Sequence, residues 1–286
     1  MVSRHKAEIA VIGGSGLYCI DELKDKREIK VKTPFGSPSD VIITGKISGI
    51  PVAFLSRHGR KHTILPGEIP QRANMWALKS LGVATIISAS AVGSLKAGLA
   101  PTHFVFPYQF MDETKGRIST FFCCGAVGHV PMARPFCEAV SAMLCAEAKK
   151  LGIKSHRGGT YVCMEGPAFS TKAESFYHRR MGYDVIGMTV ATEAKLAREA
   201  GFHYAPVALI TDYDCWKEGE EVDLEKVSGT LHKNTENIRR LLVKAIPLVA
   251  AVKCRTHCPD FTKTSLMTAR ENIPAAVYKR LSLILG

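Results

Sequence analysis

Two carboxylates one residue apart, in Thr211-Asp212-Tyr213-Asp214, follow a nearly all-apolar run from Tyr204 to Ile210. At the mouth of a sheet such a pair can do acid–base work or read the hydrogen-bonding edge of a heterocycle. Equally, an Asp after a strand caps the next turn. Three other segments suit an anion. In Gly13-Gly14-Ser15-Gly16, which follows the apolar run ending at Ile12, glycines admit close backbone approach, and N–H groups with the Ser15 hydroxyl can hold oxygens. It is neither a Walker loop, since no Gly-Lys-Ser/Thr follows, nor a G-x-G-x-x-G dinucleotide turn. Arg57-His58-Gly59-Arg60-Lys61-His62 brings three cations and two imidazoles around a glycine. Arg57 or Arg60 there can bind two oxygens at once, and a solvated basic loop is the competing reading. Ser88-Ala-Ser90-Ala91-Val-Gly-Ser94 reads as small residues leaving a strand, again fit for an anion. Together the three point to free phosphate or a phosphorylated group.

Glu165-Gly-Pro-Ala-Phe169-Ser-Thr171 holds a rigid Gly-Pro turn that can present Phe169 as a stacking face for a planar base or sugar. Met188-Thr189 closes another short apolar run. These segments need strand ends to carry them, and the pattern supplies such ends. Strands are predicted over 8–12, 40–46, 51–55 (the last two paired antiparallel), 84–89, 160–164, 184–188 and 204–210. Helices are predicted over 71–81, from Pro135 to Gly152, over 171–181, over 193–200, and from an Asp223 N-cap onward. Continuous apolar strands imply a sheet covered on both faces, hence an α/β fold: a single domain with a central mixed twisted sheet flanked by helices. Residues 1–252 form that domain, and 253–286 read as a polar, mixed appendage packed on its surface.

Composition excludes more than it selects. The 286 residues are 46% hydrophobic and 22% charged, an ordinary globular balance. No run nears the ~18 apolar residues of a membrane span, and the start lacks the apolar region of a secretory signal, so a cytoplasmic protein is expected. A net charge of +12 suits an anionic substrate, nucleic acid or an acidic surface. Its spread along helices and tail, without interleaved aromatics, disfavours nucleic acid. Among nine cysteines, only Cys254-Arg-Thr-His257-Cys258 has a suggestive spacing. No second Cys pair follows to complete a zinc site, so reduced thiols are expected, and no metal.

Gly13-Gly-Ser-Gly16, Arg57-His-Gly-Arg60, Ser90-Ala-Val-Gly93, Glu165-Gly-Pro-Ala-Phe-Ser170, Gly187-Met-Thr189 and Thr211-Asp-Tyr-Asp-Cys-Trp216 stand in an order and spacing that resemble the trimeric purine nucleoside phosphorylases over roughly residues 7 to 250. That resemblance implies cleavage of an N-glycosidic bond by inorganic phosphate as co-substrate, without metal or organic cofactor. It implies a phosphate site of Ser15, Arg57, His58, Ser90, Ala91 and Thr189, with His58, Asp212 and Asp214 as the catalytic groups. In the adenine-specific branch Asp212 serves N7 and Asp214 reads the 6-amino group, whereas 6-oxopurine relatives have Asn at the former position. Met188 is expected against the ribose and Phe169 near the base. His129 is expected to come from a neighbouring subunit of a homotrimer, and Leu224, Val227 and Ser228 to wall a 5′-methylthio group. The implied reaction converts S-methyl-5′-thioadenosine to adenine and 5-methylthioribose 1-phosphate, in methionine and purine salvage. The alternative is a broader phosphorylase of adenosine, inosine or guanosine, and pairing of trimers into hexamers is left open.

The sequence departs from the family pattern in three places. Ser228 replaces a bulky aliphatic, which makes the 5′ pocket roomier or wetter. Ala168 replaces a common Arg and Thr192 a common Pro. Some relatives from hot environments carry cysteine bridges near the C-terminus, so the resemblance also leaves open an intrachain disulfide at Cys254 and Cys258.

Overall fold

Period-two alternation in the central strands sends successive side chains to opposite faces, and the computed structural model shows each face buried under its own helices. It describes residues 7–14, 17, 19–219, 224–254, 258 and 261–286, with backbone alone at 224–227 and 263. Strands β1 (Ile9–Gly13), β4 (Ile50–Ser56), β5 (Thr85–Ser94) and β11 (His203–Asp212) run parallel at the centre. Ala10, Ile12, Ala53, Leu55, Ile86, Tyr204 and Ala208 enter one core with α1 (Gln71–Ser80), α4 (Val190–Glu199) and α7 (Ala275–Leu285). Ile9, Val11, Val52, Phe54, Ile87, Ala205 and Val207 enter the other with α2 (Glu138–Lys150) and α5 (Leu224–Ala250). The α/β fold with a mixed sheet covered on both faces is as expected.

The sheet has eleven strands, adding β2 (Lys24–Ile29), β3 (Ile42–Ile47), β6 (Phe104–Phe106), β7 (Gln109–Glu113), β8 (Ser155–Arg157), β9 (Thr160–Met164) and β10 (Val185–Gly187). Its main path is β2-β3-β4-β1-β5-β10-β9-β7, and β11 also pairs β5 and carries β6, which carries β8. Ser88 of β5 is matched both to Ile12 of β1 and to Pro206 of β11, so β1 and β11 lie on opposite edges of β5. The antiparallel β3–β4 pair agrees with the pattern. The helix expected over 171–181 is present as α3 (Lys172–Arg180), and a capping box between Thr171 and Glu174 starts it.

Three boundaries differ from the pattern. The Ser88–Ser94 run does not leave the strand; it is the second half of β5, held in the ladder by β11 and then β10. Pro135 does not open α2, because Cys137 is an extended N-cap whose N–H donates to Tyr204 O at 2.8 Å. Helix α4 begins three residues early, at an N-cap Thr189. The Asp223 N-cap lies outside the described residues. The tail is more than a surface covering: Val277, Leu281, Ile284 and Leu285 of α7 are buried in the same core as Met75 and Leu78 of α1. Before it, α6 (Phe261–Ser265) places the Thr262 hydroxyl 2.7 Å from Glu199 O, to which it donates.

Glu199, the last residue of α4, is buried and accepts from Thr120 Oγ1 at 2.7 Å and Phe121 N at 2.6 Å. Burial pushes its carboxyl up to about 7 despite these hydrogen bonds, against an ordinary 4.5. A raised folded-state value means that the folded chain holds a proton which the unfolded chain has lost. The associated stability is full below about 4.5 and is lost as pH rises through about 7. Thermal unfolding of the wild type is therefore expected to shift downward between those limits, and Glu199→Gln is expected to flatten that part of the profile.

Candidate active site

The unusual feature of β5 is one of its edges. Parallel β1 covers it from Thr85 to Ser88, and antiparallel β10 covers it at Gly93 and Ser94. Between them, Ala89 to Val92 are paired with β11 alone among the described residues. Because β1 and β10 run in opposite directions, their carboxyl ends face each other across this notch. One end continues into Gly14; the other continues through Met188 into Thr189 and the N-terminus of α4. Carboxyl ends of strands and a helix N-terminus are where α/β folds place anions.

Ser90 and Thr189, both buried, have hydroxyls without a hydrogen-bond partner among the described residues. The Tyr161 hydroxyl lies close enough to both for them to favour its ionised form, yet it too lacks a partner at hydrogen-bonding geometry. Burial nevertheless holds that phenol protonated well beyond its ordinary range. Unmet buried hydroxyls are costly unless a ligand or water meets them. Ala91 is exposed at the mouth of the same notch.

Arg57 does not clamp an anion with its fork, as the basic segment suggested. It is 2% exposed, and its Nε and Nη2 donate to the two carboxylate oxygens of Glu193. Nη2 also donates to Ser88 Oγ at 2.7 Å, and Nη1 to Ala89 O at 3.1 Å. Of five N–H groups one remains, on Nη1. Ser88 Oγ and Tyr204 OH donate to Glu193 Oε2 at 2.6 and 2.8 Å. Burial alone would raise the Glu193 carboxyl, but the Arg57 charge and these hydrogen bonds hold it below the ordinary range. Arg60 instead pairs at the surface with Glu28 and Asp40.

His58 Nδ1 lies 2.8 Å from Ile64 O. A carbonyl only accepts, so Nδ1 carries the proton and Nε2 presents a lone pair. Burial, with the neighbouring Arg57 charge, pushes the imidazole down to about 4, so it is neutral at physiological pH. Its ring stacks on His62 at 4.6 Å.

The two carboxylates sit at the top of β11. A register shift between Ile210 and Asp212 sets Asp212 opposite Gly93, where a Cβ would come within 3.0 Å of Asp212 Oδ1 and 3.3 Å of Asp214 Cβ. Asp214 adopts φ 53°, a left-handed conformation Asp tolerates, and its N–H donates to Asp212 Oδ1 at 2.8 Å. Thr211 Oγ1 donates to Asp212 Oδ2 at 2.7 Å. Burial raises the Asp212 carboxyl and the Asp214 charge adds to this, outweighing both hydrogen bonds. Asp214 is buried, with Oδ2 unpartnered among the described residues.

A clamp missed in the sequence joins the remaining strand ends. Arg117 Nε donates to Glu165 Oε1 at 3.0 Å, its Nη2 to Glu165 O, and its Nη1 to Met188 O at 2.5 Å. Gly166, at φ +70°, packs where a Cβ would lie 2.5 Å from Met188 Sδ. Phe169, past the cis Gly166–Pro167 bond, is 54% exposed.

Residues 8–247 match the model of the phosphorylase superfamily. The chain belongs to that superfamily. The S-methyl-5′-thioadenosine phosphorylase of Thermosynechococcus vestitus is 48% identical over 284 residues, 98% of each chain. That of Hyperthermus butylicus is also 48% identical, over 92% of this chain and 96% of its own. Among solved structures, a methylthioadenosine phosphorylase sourced from an Antarctic soil metagenomic library superposes with a TM-score of 0.96 at 45% identity, covering 99% of this chain and 100% of that one. The Schistosoma mansoni methylthioadenosine phosphorylase in complex with adenine gives 0.86 at 37% identity, over 91% and 99%.

In this phosphorylase-superfamily chain the structure brings together Arg57, His58, Ser90, Ala91, Thr189, Met188, Asp212 and Asp214 around the ends of β4, β10 and β11 and the uncovered stretch of β5. Ser15 lies outside the described residues, as do the side chains of Leu224 and Val227; Ser228 is exposed on α5. His129 is exposed on the loop before α2, where its N–H donates to Ser265 O at 2.8 Å. Its side chain makes no hydrogen bond to the strand-end residues among those described. Two clefts of about 230 and 360 Å³ share Ala133, Arg134, Phe136 and Glu138 and hold none of the strand-end residues. Sequence reasoning missed Glu193, Tyr161 and Arg117. The signal for Glu193 was a lone acid in Val190-Ala-Thr-Glu-Ala194, an otherwise uncharged buried helix start. Glu193→Ala strands a buried guanidinium and is expected to cost about 3–5 kcal/mol in urea unfolding, with Glu193→Gln losing less.

Proposed function

We propose that the protein catalyses the phosphorolysis of S-methyl-5′-thioadenosine to adenine and 5-methylthio-α-D-ribose 1-phosphate. The observation that carries this reading is the shared strand β5. Ser90, in the notch, and Gly93, opposite Asp212, are three residues apart, about 10 Å along a strand. That span lets one nucleoside reach from a bound phosphate to a pair of carboxylates. The names of the relatives support the substrate.

On this reading phosphate sits in the notch against Ser90, Ala91, Thr189 and the α4 N-terminus, with Ser15, the remaining Arg57 N–H and His58. Neutral His58 accepts through Nε2 from a protonated phosphate oxygen. Held beneath the anomeric carbon, phosphate stabilises the oxocarbenium-like transition state and captures it. Negative charge moves onto the departing purine, and Asp212, whose buried position favours its protonated form, donates to N7. Asp214, with an unmet acceptor oxygen, takes the 6-amino group; a 6-oxo group would meet it lone pair to lone pair. Met188 and Phe169 bracket ribose and base, with Leu224, Val227 and Ser228 at the 5′ substituent. The co-substrate is inorganic phosphate, and the chemistry uses no metal or organic cofactor.

The same proposal includes a homotrimer in which His129 covers the 5′ end of the neighbour's nucleoside. Exposed Phe169, Phe176, Tyr177 and Met181 supply apolar surface for such a neighbour. Among the described residues no helix is long and apolar enough to cross a membrane. A place in methionine and purine salvage, in the cytoplasm, completes the reading. Size-exclusion chromatography with light scattering is expected to give three chains per particle or a multiple of three; a strict monomer would overturn this part.

Adenine release from S-methyl-5′-thioadenosine is expected to require phosphate. No phosphate-dependent release, from this nucleoside, adenosine or inosine, would sink the enzyme assignment. Asp212→Asn is expected to lower kcat/KM for S-methyl-5′-thioadenosine by about 10²–10³-fold and to narrow the preference over the 6-oxo analogue, which Asp214 still opposes. Unchanged adenine selectivity in that variant would show that Asp212 does not serve the base.

A further inference from the structure

We propose that Cys137, His203, Cys254 and Cys258 form a structural zinc site. The three thiol sulfurs and an imidazole nitrogen all lie within 4.8 Å of one another, although their positions span more than a hundred residues of sequence. Cys137 Sγ is 3.5 Å from Cys254 Sγ and 3.7 Å from His203 Nδ1. In a tetrahedral site with Zn–S of about 2.3 Å and Zn–N of about 2.0 Å, donors stand about 3.5–3.8 Å apart, so this set needs only small adjustments around an ion. Three thiolates and one imidazole are a complete, soft ligand set with no open position, which suits structural zinc over magnesium or calcium. Cys137 and Cys258 are buried, His203 and Cys254 are partly buried, and the cluster borders the apolar core of α2 and α5.

The backbone prepares the site. Cys137 is the N-cap of α2, fixed by its N–H to Tyr204 O, and His203 is the first residue of β11. Cys254 and Cys258 follow α5 and precede α6. Zinc would therefore fasten the exit of α5 to the start of β11, at the strand end opposite Asp212 and about 30 Å from it. Past α6 the chain reaches Leu266, which bridges Gly128 beside His129. A fixed origin for the tail thus fixes the loop that carries His129. Loading releases three thiol protons and leaves a zinc tris-thiolate imidazole centre of net charge −1. The C-terminal Cys-x-x-x-Cys could not announce this alone, because its partners come from the α2 cap and from β11.

The test uses untagged full-length protein expressed with added Zn²⁺. Elemental analysis after dialysis is expected to give about one zinc per chain, falling at least fivefold in both Cys254→Ser and Cys258→Ser. A chelator is expected to lower the unfolding temperature of the wild type and not that of the variants. Should a variant fail to fold, Co²⁺ added to reduced, metal-free wild type reads the site directly, through a thiolate charge-transfer band and tetrahedral ligand-field bands. Zinc retained undiminished by both variants, or reduced protein that takes up neither Zn²⁺ nor Co²⁺, would overturn the proposal. So would a mass two hydrogens low with two thiols lost to titration, which marks a disulfide instead.

Discussion

The buried pair of Arg57 and Glu193 is the constraint on which the rest of the site depends. Four elements meet at it: the end of β4, the middle of β5, the first turn of α4 and the start of β11. Two charges taken out of water gain little net stability, but either one alone is expensive, so the four elements must meet with every hydrogen bond made. The pair also meets a demand created by the sheet. On the uncovered edge of β5 the Ala89 carbonyl has no strand to receive it, and the Arg57 Nη1 donates to it instead. With that acceptor met from below, the buried Ser90 and Thr189 hydroxyls stay without a protein partner among the described residues.

The uncovered edge follows from topology. In a wholly parallel sheet, ligands bind beyond the carboxyl ends of strands, outside the sheet. Here β10 runs against β5, so its carboxyl end points back toward that of β1 and the binding place falls inside the sheet, between two strand ends. Helix α4 has to begin there because β10 stops at Gly187, and Arg117 holds the intervening Met188 carbonyl against Glu165. Gly187 has no freedom to be larger, since a Cβ would collide with the Tyr161 hydroxyl.

Much of this was legible in the sequence, and the failures have definite causes. β1, β4, β9, β10, β11 and helix α3 could be read because apolar runs and helical patterns are local signals. Ser88–Ser94 read as a loop because small residues carry little strand propensity, yet pairing to β11 and then β10 holds them in the ladder. Strands β6 and β8, three residues each, exist through pairing partners and leave no periodic trace. The residues around the notch were found by motif, but their electrostatics were not. Arg57 looked like an anion clamp because its counter-ion lies 136 positions away on a helix face otherwise lined with Val and Ala. The tail looked peripheral because its polar first half masks the apolar stripe of α7, which becomes core once α1 is beside it.

The net charge of +12 invites the idea that phosphate is captured by bare cations, and the site is built otherwise. The buried cation is neutralised by Glu193, His58 is held neutral, and Arg60 is paired at the surface. Hydroxyls, a helix N-terminus and one guanidinium N–H remain. For the proposed reaction, in which phosphate acts as the nucleophile, this is the favourable arrangement. A strong ion pair would stabilise the reactant anion as much as or more than the transition state, in which phosphate gives up charge to the forming bond. Uniform or reactant-biased binding tightens KM without raising kcat. A nearly neutral cradle instead leaves the phosphate charge to act on the oxocarbenium-like sugar, the one strong cation in its reach. In the proposed reaction the surplus positive charge outside the notch acts at long range, raising the local phosphate concentration without gripping it.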